Sequence, residues 1–134
     1  MVEAYFCEGL YNDIIMINQF EGRIVLFYNK INGNFEKPSR REYSKLKYSD
    51  TSFCNIIAGK IEKQIGFEFQ QIFSTKFEPR RYYTIYLLSY RNKSTYVLEF
   101  YDGSGLDYEF YIFDKLEKAL SEIYKLESKY HLND

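Results

Sequence analysis

Short apolar runs bounded by polar breaks open the chain, and a period of two recurs through much of it. The runs 2-VEAYFC-7, 12-NDIIMIN-18 and 23-RIVLFYNK-30 read as short strands, with turn signals at Glu8-Gly9 and Glu21-Gly22. Residues 12–18 also fit a helical turn. Asn32-Gly33 supplies the two positive φ angles of a type I′ turn, so the third strand is expected to fold back as a hairpin. Pro38 cannot donate to a ladder, which makes residues 37–49 an exposed basic loop or ragged edge.

The period changes after Asp50. Phe53, Cys54, Ile57, Ala58, Ile61 and Ile65 recur at spacings of three and four, predicting a helix capped by Asp50 or Thr51 and stopped at Gly66. Alternation then returns in 67-FEFQQIFSTKF-77, 82-YYTIYLLSY-90, 95-TYVLEFY-101 and 107-DYEFYIF-113, separated by hairpin-length breaks. From Asp114 the spacing is helical again: 114-DKLE-117 reads as a capping box, and Leu116, Ala119, Leu120, Ile123, Leu126 and Tyr130 form one stripe. The expected architecture is a single α+β domain over residues 1–134, an antiparallel meander with two amphipathic helices packed on one face.

Parity divides the meander into two surfaces. Tyr83, Ile85, Leu87, Tyr96, Leu98, Phe100, Tyr108, Phe110 and Ile112 are assigned to the helices. Outward lie Tyr82, Tyr86, Tyr90, Val97, Glu99, Tyr101, Asp107, Glu109 and Tyr111. Cross-strand tyrosines can simply clothe an open sheet. Tyrosine is also enriched at recognition surfaces, and the interleaved acids suit a basic partner.

Composition sharpens this picture in two ways. Aromatic residues reach 20%, from 15 Tyr and 12 Phe with no Trp, which favours strands. Net charge is only −1, so general coating of nucleic acid is disfavoured, yet residues 99–114 are purely acidic and 37–48 strongly basic. Cys7 and Cys54 show no zinc spacing and are expected as reduced thiols in a cytoplasm. No basic n-region, export signal or membrane-length apolar run is expected from the chain as given.

Chemical motifs are sparse. His131, the one histidine, lies near the end of the last helix and makes a poor general base. The loop 102-DGSG-105 lacks the Lys and the strand-to-helix setting of a phosphate loop. Asp102, Asp107, Glu109 and Asp114 lack a further ligand at recognised spacing, so no metal, cofactor or catalytic residue is assigned and the chain is read as a non-enzyme.

In size and style, and in its acid- and tyrosine-rich outward strands, the chain resembles the bacterial immunity proteins that neutralise polymorphic or contact-dependent toxins. That resemblance implies a cognate toxin partner, often a basic nuclease, occluded through Tyr82, Tyr86, Tyr90, Glu99, Tyr101, Asp102, Asp107, Glu109 and Tyr111. The alternative is a nucleic-acid-binding accessory protein using Lys37, Arg40, Arg41, Lys45 and Lys47 with Tyr43 and Tyr48. The outward tyrosines could equally form a homodimer seam.

Overall fold

The computed structural model describes residues 3–19, 22–57, 66–78, 80–102 and 109–132, with side chains to Lys129. The elements are β1 (Glu3–Cys7), β2 (Asn12–Asn18), β3 (Arg23–Asn29), β4 (Asn34–Glu36), α1 (Arg40–Leu46), β5 (Asn55–Ile56), β6 (Glu68–Phe77), β7 (Arg81–Tyr90), β8 (Lys93–Tyr101), β9 (Glu109–Phe113) and α2 (Leu116–Leu132). The α+β class holds, and the described strands form two antiparallel sheets, ordered β4-β3-β2-β1-β5 and β6-β7-β8-β9. Two compact units result, residues 1–68 with 89–93, and residues 69–88 with 94–134. The two described helices belong to different units.

In the first unit, β1, β2 and β3 pair in a continuous register, Ala4 opposite Ile17 and Ile17 opposite Ile24. Consecutive residues Ile15, Met16 and Ile17, and Ile24, Val25 and Leu26, are all buried, so both faces of these central strands are covered. That double burial explains why 12-NDIIMIN-18 does not alternate and reads ambiguously; it is a strand. Gly33 has φ +72° and donates to the Asn29 carbonyl at 2.7 Å, but Asn32 does not share the positive φ, so the β3–β4 connection is a four-residue loop rather than a type I′ turn. The two-residue turn with consecutive positive φ is Arg91-Asn92 (53° and 63°), which joins β7 to β8.

Residues 37–49 are not a loop. Ser39 caps α1, its hydroxyl accepting from the Glu42 amide while the Glu42 carboxylate accepts from the Ser39 amide. Ser39-Arg40-Arg41-Glu42 is a capping box, and this local signal outweighs the strand-ending effect of Pro38. The Arg23 guanidinium satisfies the far end, donating to the carbonyls of Leu46 (2.9 Å) and Ser49 (3.0 Å).

The helix expected from Asp50 does not start there. The Asp50 carboxylate accepts from the Ser52 amide and hydroxyl, bonds that make a local turn and hold its pKa below the usual range. Asn55–Ile56 then pair with β1, and Phe53 is 75% exposed, so the apparent helical stripe gives way to strand pairing. Ala58, Ile61 and Ile65 lie outside the described residues. The register of β5 sets Cys54 opposite Cys7, and a disulfide joins them with Cα atoms 4.8 Å apart. This overturns the expectation of two separate reduced thiols, because a sequence separation of 47 hides the pairing.

In the second unit α2 lies on one face of β6–β9. Tyr83, Ile85, Leu98 and Phe100 pack with Ala119, Ile123 and Leu126, with Tyr96, Tyr111 and Phe113 at the margin. Leu116, expected on the stripe, is exposed at the start of the helix, and Asp114 pairs with Lys118 (2.8 Å), which lowers its pKa. The Lys115 carbonyl accepts the first helical bonds, placing Asp114 one residue before the cap. Glu127 is buried on this helix, held by Arg81 through two bonds of 2.8 and 2.9 Å and by the Tyr83 hydroxyl.

Two outcomes follow. Reducing the disulfide, or replacing it with Cys7→Ser/Cys54→Ser, lowers unfolding free energy by about 2–4 kcal/mol, read by denaturant titration. Asn92→Gly leaves stability unchanged or raises it by up to about 1 kcal/mol, whereas Asn92→Val lowers it by about 1–2 kcal/mol, since a β-branched residue resists positive φ.

Candidate functional site

The surface expected at 82–111 is partly assembled and partly dismantled. β7 brings out Tyr82, 42% exposed, and its ring stacks on Tyr101 of β8 with centroids 6.3 Å apart. Lys76 of β6 lies 5.3 Å over the same Tyr82 ring. Next along β7, the Ser74 and Thr84 hydroxyls meet at 3.4 Å, and the Tyr86 hydroxyl donates to Glu99 Oε1 at 3.4 Å while its ring packs 4.4 Å from Phe69. Tyr86, Glu99, Tyr101 and Asp102 are half-buried. This end of the face is therefore aromatic, with one cation and one carboxylate held against rings.

Four outward assignments are corrected. Val97 is fully buried, so the face is not open along its whole length. Tyr111 and Phe113 stand opposite Leu98 and Tyr96, which turns them toward α2, and Phe110, opposite Glu99, is 2% exposed. The apolar parity of 107-DYEFYIF-113 fails because aromatic residues fill both sets. Glu109 is exposed and accepts from the Tyr111 hydroxyl, but it stands opposite Phe100 and so lies on the other side of the sheet from Glu99. Asp107 lies outside the described residues.

The fourth correction is Tyr90, 3% exposed and part of the first unit. Its ring meets Tyr28 edge-on at 5.4 Å and Phe6 at 6.3 Å. Its hydroxyl donates to Asp13 Oδ2 at 3.0 Å and accepts from Arg91 Nε at 3.3 Å. Asp13 is wholly buried. Arg91 Nε lies 3.1 Å from Oδ2, and the Lys30 ammonium lies 3.3 Å from Oδ1 as an ion pair without hydrogen-bond alignment. Burial chiefly raises the Tyr90 pKa, and the bond from Arg91 opposes it; the bond to Tyr90 chiefly raises that of Arg91. Nothing in the local sequence marks Asp13, since a carboxylate at a strand start is ordinarily solvated.

The basic segment is redistributed as well. Arg40, Arg41 and Lys45 are exposed on or beside α1, and Lys47 lies 5.0 Å over the Tyr48 ring, which is 83% exposed. Lys37 is exposed ahead of the helix. Tyr43 is turned inward, its hydroxyl donating to the Arg23 carbonyl at 2.9 Å, and burial raises its pKa. The stacking partner expected at Tyr43 is thus a packing residue. Among the described residues no group of three or more His, Cys, Asp or Glu side chains could hold a metal ion, and no helix is long and apolar enough to cross a membrane. His131 has no described side chain.

No protein-family model, curated protein or solved structure matches the chain.

The raised pKa of Tyr90 gives a pH test. Unfolded tyrosine ionises near 10 and the folded group above it, so the contribution is complete below pH 10 and is lost as pH rises toward the folded value. Thermal melts of the wild type fall progressively above pH 10. Tyr90→Phe starts lower by about 1 kcal/mol, having lost the bond to Asp13, and then falls less steeply.

Proposed function

We propose that the chain is a small, non-enzymatic protein-binding module. On this reading it is an immunity or inhibitor protein that occludes a cognate toxin with a basic surface, such as a nuclease. The observation that carries the reading is Tyr82, 42% exposed in mid-sheet and stacked on Tyr101 beside the Tyr86–Glu99 pair. A stacked pair of tyrosines is rigid, so it offers contact area and hydroxyls at little further entropic cost on binding. Glu99 and Asp102 supply negative charge next to it and would act mainly on the association rate.

The contact surface is smaller than the outward parity set. Tyr82, Tyr86, Glu99, Tyr101 and Asp102 remain its members, while Tyr90 and Tyr111 serve the fold and Glu109 lies across the sheet. A cytoplasmic site of action belongs to the same proposal. There the Cys7–Cys54 pair meets a reducing thiol pool, and binding that survives reduction is part of the reading.

The nucleic-acid alternative draws on exposed Arg40, Arg41 and Lys45 beside the exposed ring of Tyr48. It is weakened by the inward turn of Tyr43. A steep fall of affinity with salt in a filter-binding titration is its signature.

With a partner isolated by affinity capture, calorimetry tests the surface directly. Tyr82→Ala is expected to weaken binding by about 2 kcal/mol or more, as removal of a central aromatic anchor does. Glu99→Gln slows association and flattens its salt dependence, and Glu109→Gln leaves both unchanged. Affinity indifferent to Tyr82 and Glu99 overturns the assignment.

A further inference from the structure

The edges of the two sheets are unequal. β5, β4 and β9 are two, three and five residues long, the short edges by which proteins discourage strand addition. β6 is ten residues long and ends its sheet, with β7 as its neighbour. Its centre is exposed at five consecutive positions, Gln70 to Ser74, so side chains of both parities reach solvent. Two of them are Ile72 and Phe73, 37% and 38% exposed. A long, apolar edge of this kind presents a row of backbone donors and acceptors to an incoming strand.

The sequence of β6 says which strand fits. Around Ile72 the positions are reciprocal: Glu68 and Lys76 stand four residues to either side with opposite charge, and Gln70 and Ser74 stand two residues away with complementary polar groups. We propose that β6 is a homodimer edge, pairing antiparallel with β6 of a second copy about a two-fold axis at Ile72. In that register Ile72 meets Ile72, Gln71 meets Phe73, and Glu68 meets Lys76 on both sides of the axis, which closes the assembly as an isologous interface. Lys76 can exchange partners, because its ion pair with Glu78, at 3.7 Å, is solvent-exposed and weak and its other contact is the face of the exposed Tyr82 ring at 5.3 Å. The surface is the backbone edge of the sheet, and it adjoins the Tyr82–Tyr101 stack at Lys76.

Light scattering and sedimentation of the full chain, from micromolar to millimolar concentration, read the proposal. The wild type dimerises with rising concentration. Lys76→Glu and Glu68→Lys each create two like-charge pairs and raise the dimer dissociation constant by on the order of tenfold. An equimolar mixture of these two variants restores association, since every pair in the heterodimer is again opposite in sign, and the double variant Glu68→Lys/Lys76→Glu dimerises like the wild type. Ile72→Lys, at an exposed position, retains the native circular dichroism and loses the dimer. A wild type that stays monomeric throughout overturns the proposal. So do single variants that dimerise undiminished, or that fail to complement each other in the mixture.

Discussion

The first unit depends on where one carboxylate finds its partners. Asp13 enters β2 with no exposure to water, a position that costs several kcal/mol for an unpaired charge. It is accommodated because the tip of the β7–β8 hairpin, which belongs to this unit, brings Tyr90 and Arg91 to one oxygen while Lys30 of the β3–β4 connection attends the other. The backbone there is bent through two successive left-handed residues, and Arg91 is not a residue that adopts this conformation readily. Its guanidinium is engaged by Asp13 and by the Tyr90 ring and hydroxyl, contacts that offset the local cost. An acid and an adjacent tyrosine and arginine, 77 and more residues further along the chain, therefore form one arrangement.

Several of the tyrosines are held by bonds of this kind. Tyr43 ties α1 to β3, Tyr83 reaches Glu127 on α2, Tyr90 reaches Asp13 and Tyr111 reaches Glu109. Each ring fills apolar space while the hydroxyl ends on an acceptor, which lets a core contain carbonyls and carboxylates without leaving them unsatisfied. Tyr82 is the contrast: its ring stacks on Tyr101 and carries Lys76, yet it keeps the largest exposure of the tyrosines on the described part of this sheet.

Apolar runs and local periodicity made β1, β3, β6–β9 and α2 legible, while β2, apolar on both faces, stayed ambiguous with a helical turn. The Tyr83, Ile85, Leu98 and Phe100 core followed from parity for the same reason. What escaped was set by distant sequence or by signals competing at short range. The stripe from Phe53 was helical in spacing but short, and pairing of Asn55–Ile56 with β1 decided its beginning. At 39–42 a capping box was present and was outweighed in the reading by Pro38. In β9 all of Phe110, Tyr111, Ile112 and Phe113 are large and apolar, so composition could not choose a face and the register with β8 did. The site inherited that error at Tyr111, while Tyr90 was lost because burial by the other sheet's strands leaves no trace in a two-residue repeat.

The Cys7–Cys54 bond has a topological side. It closes a covalent ring that contains β2, β3, β4 and α1, and with them the loop at Gly33 and the exposed turn at Phe53. A protease that cuts once anywhere inside this ring opens it without releasing a fragment, because both cut ends stay attached through the sulfurs. The chain can thus be nicked in its first half and still migrate as one molecule until a reductant is added.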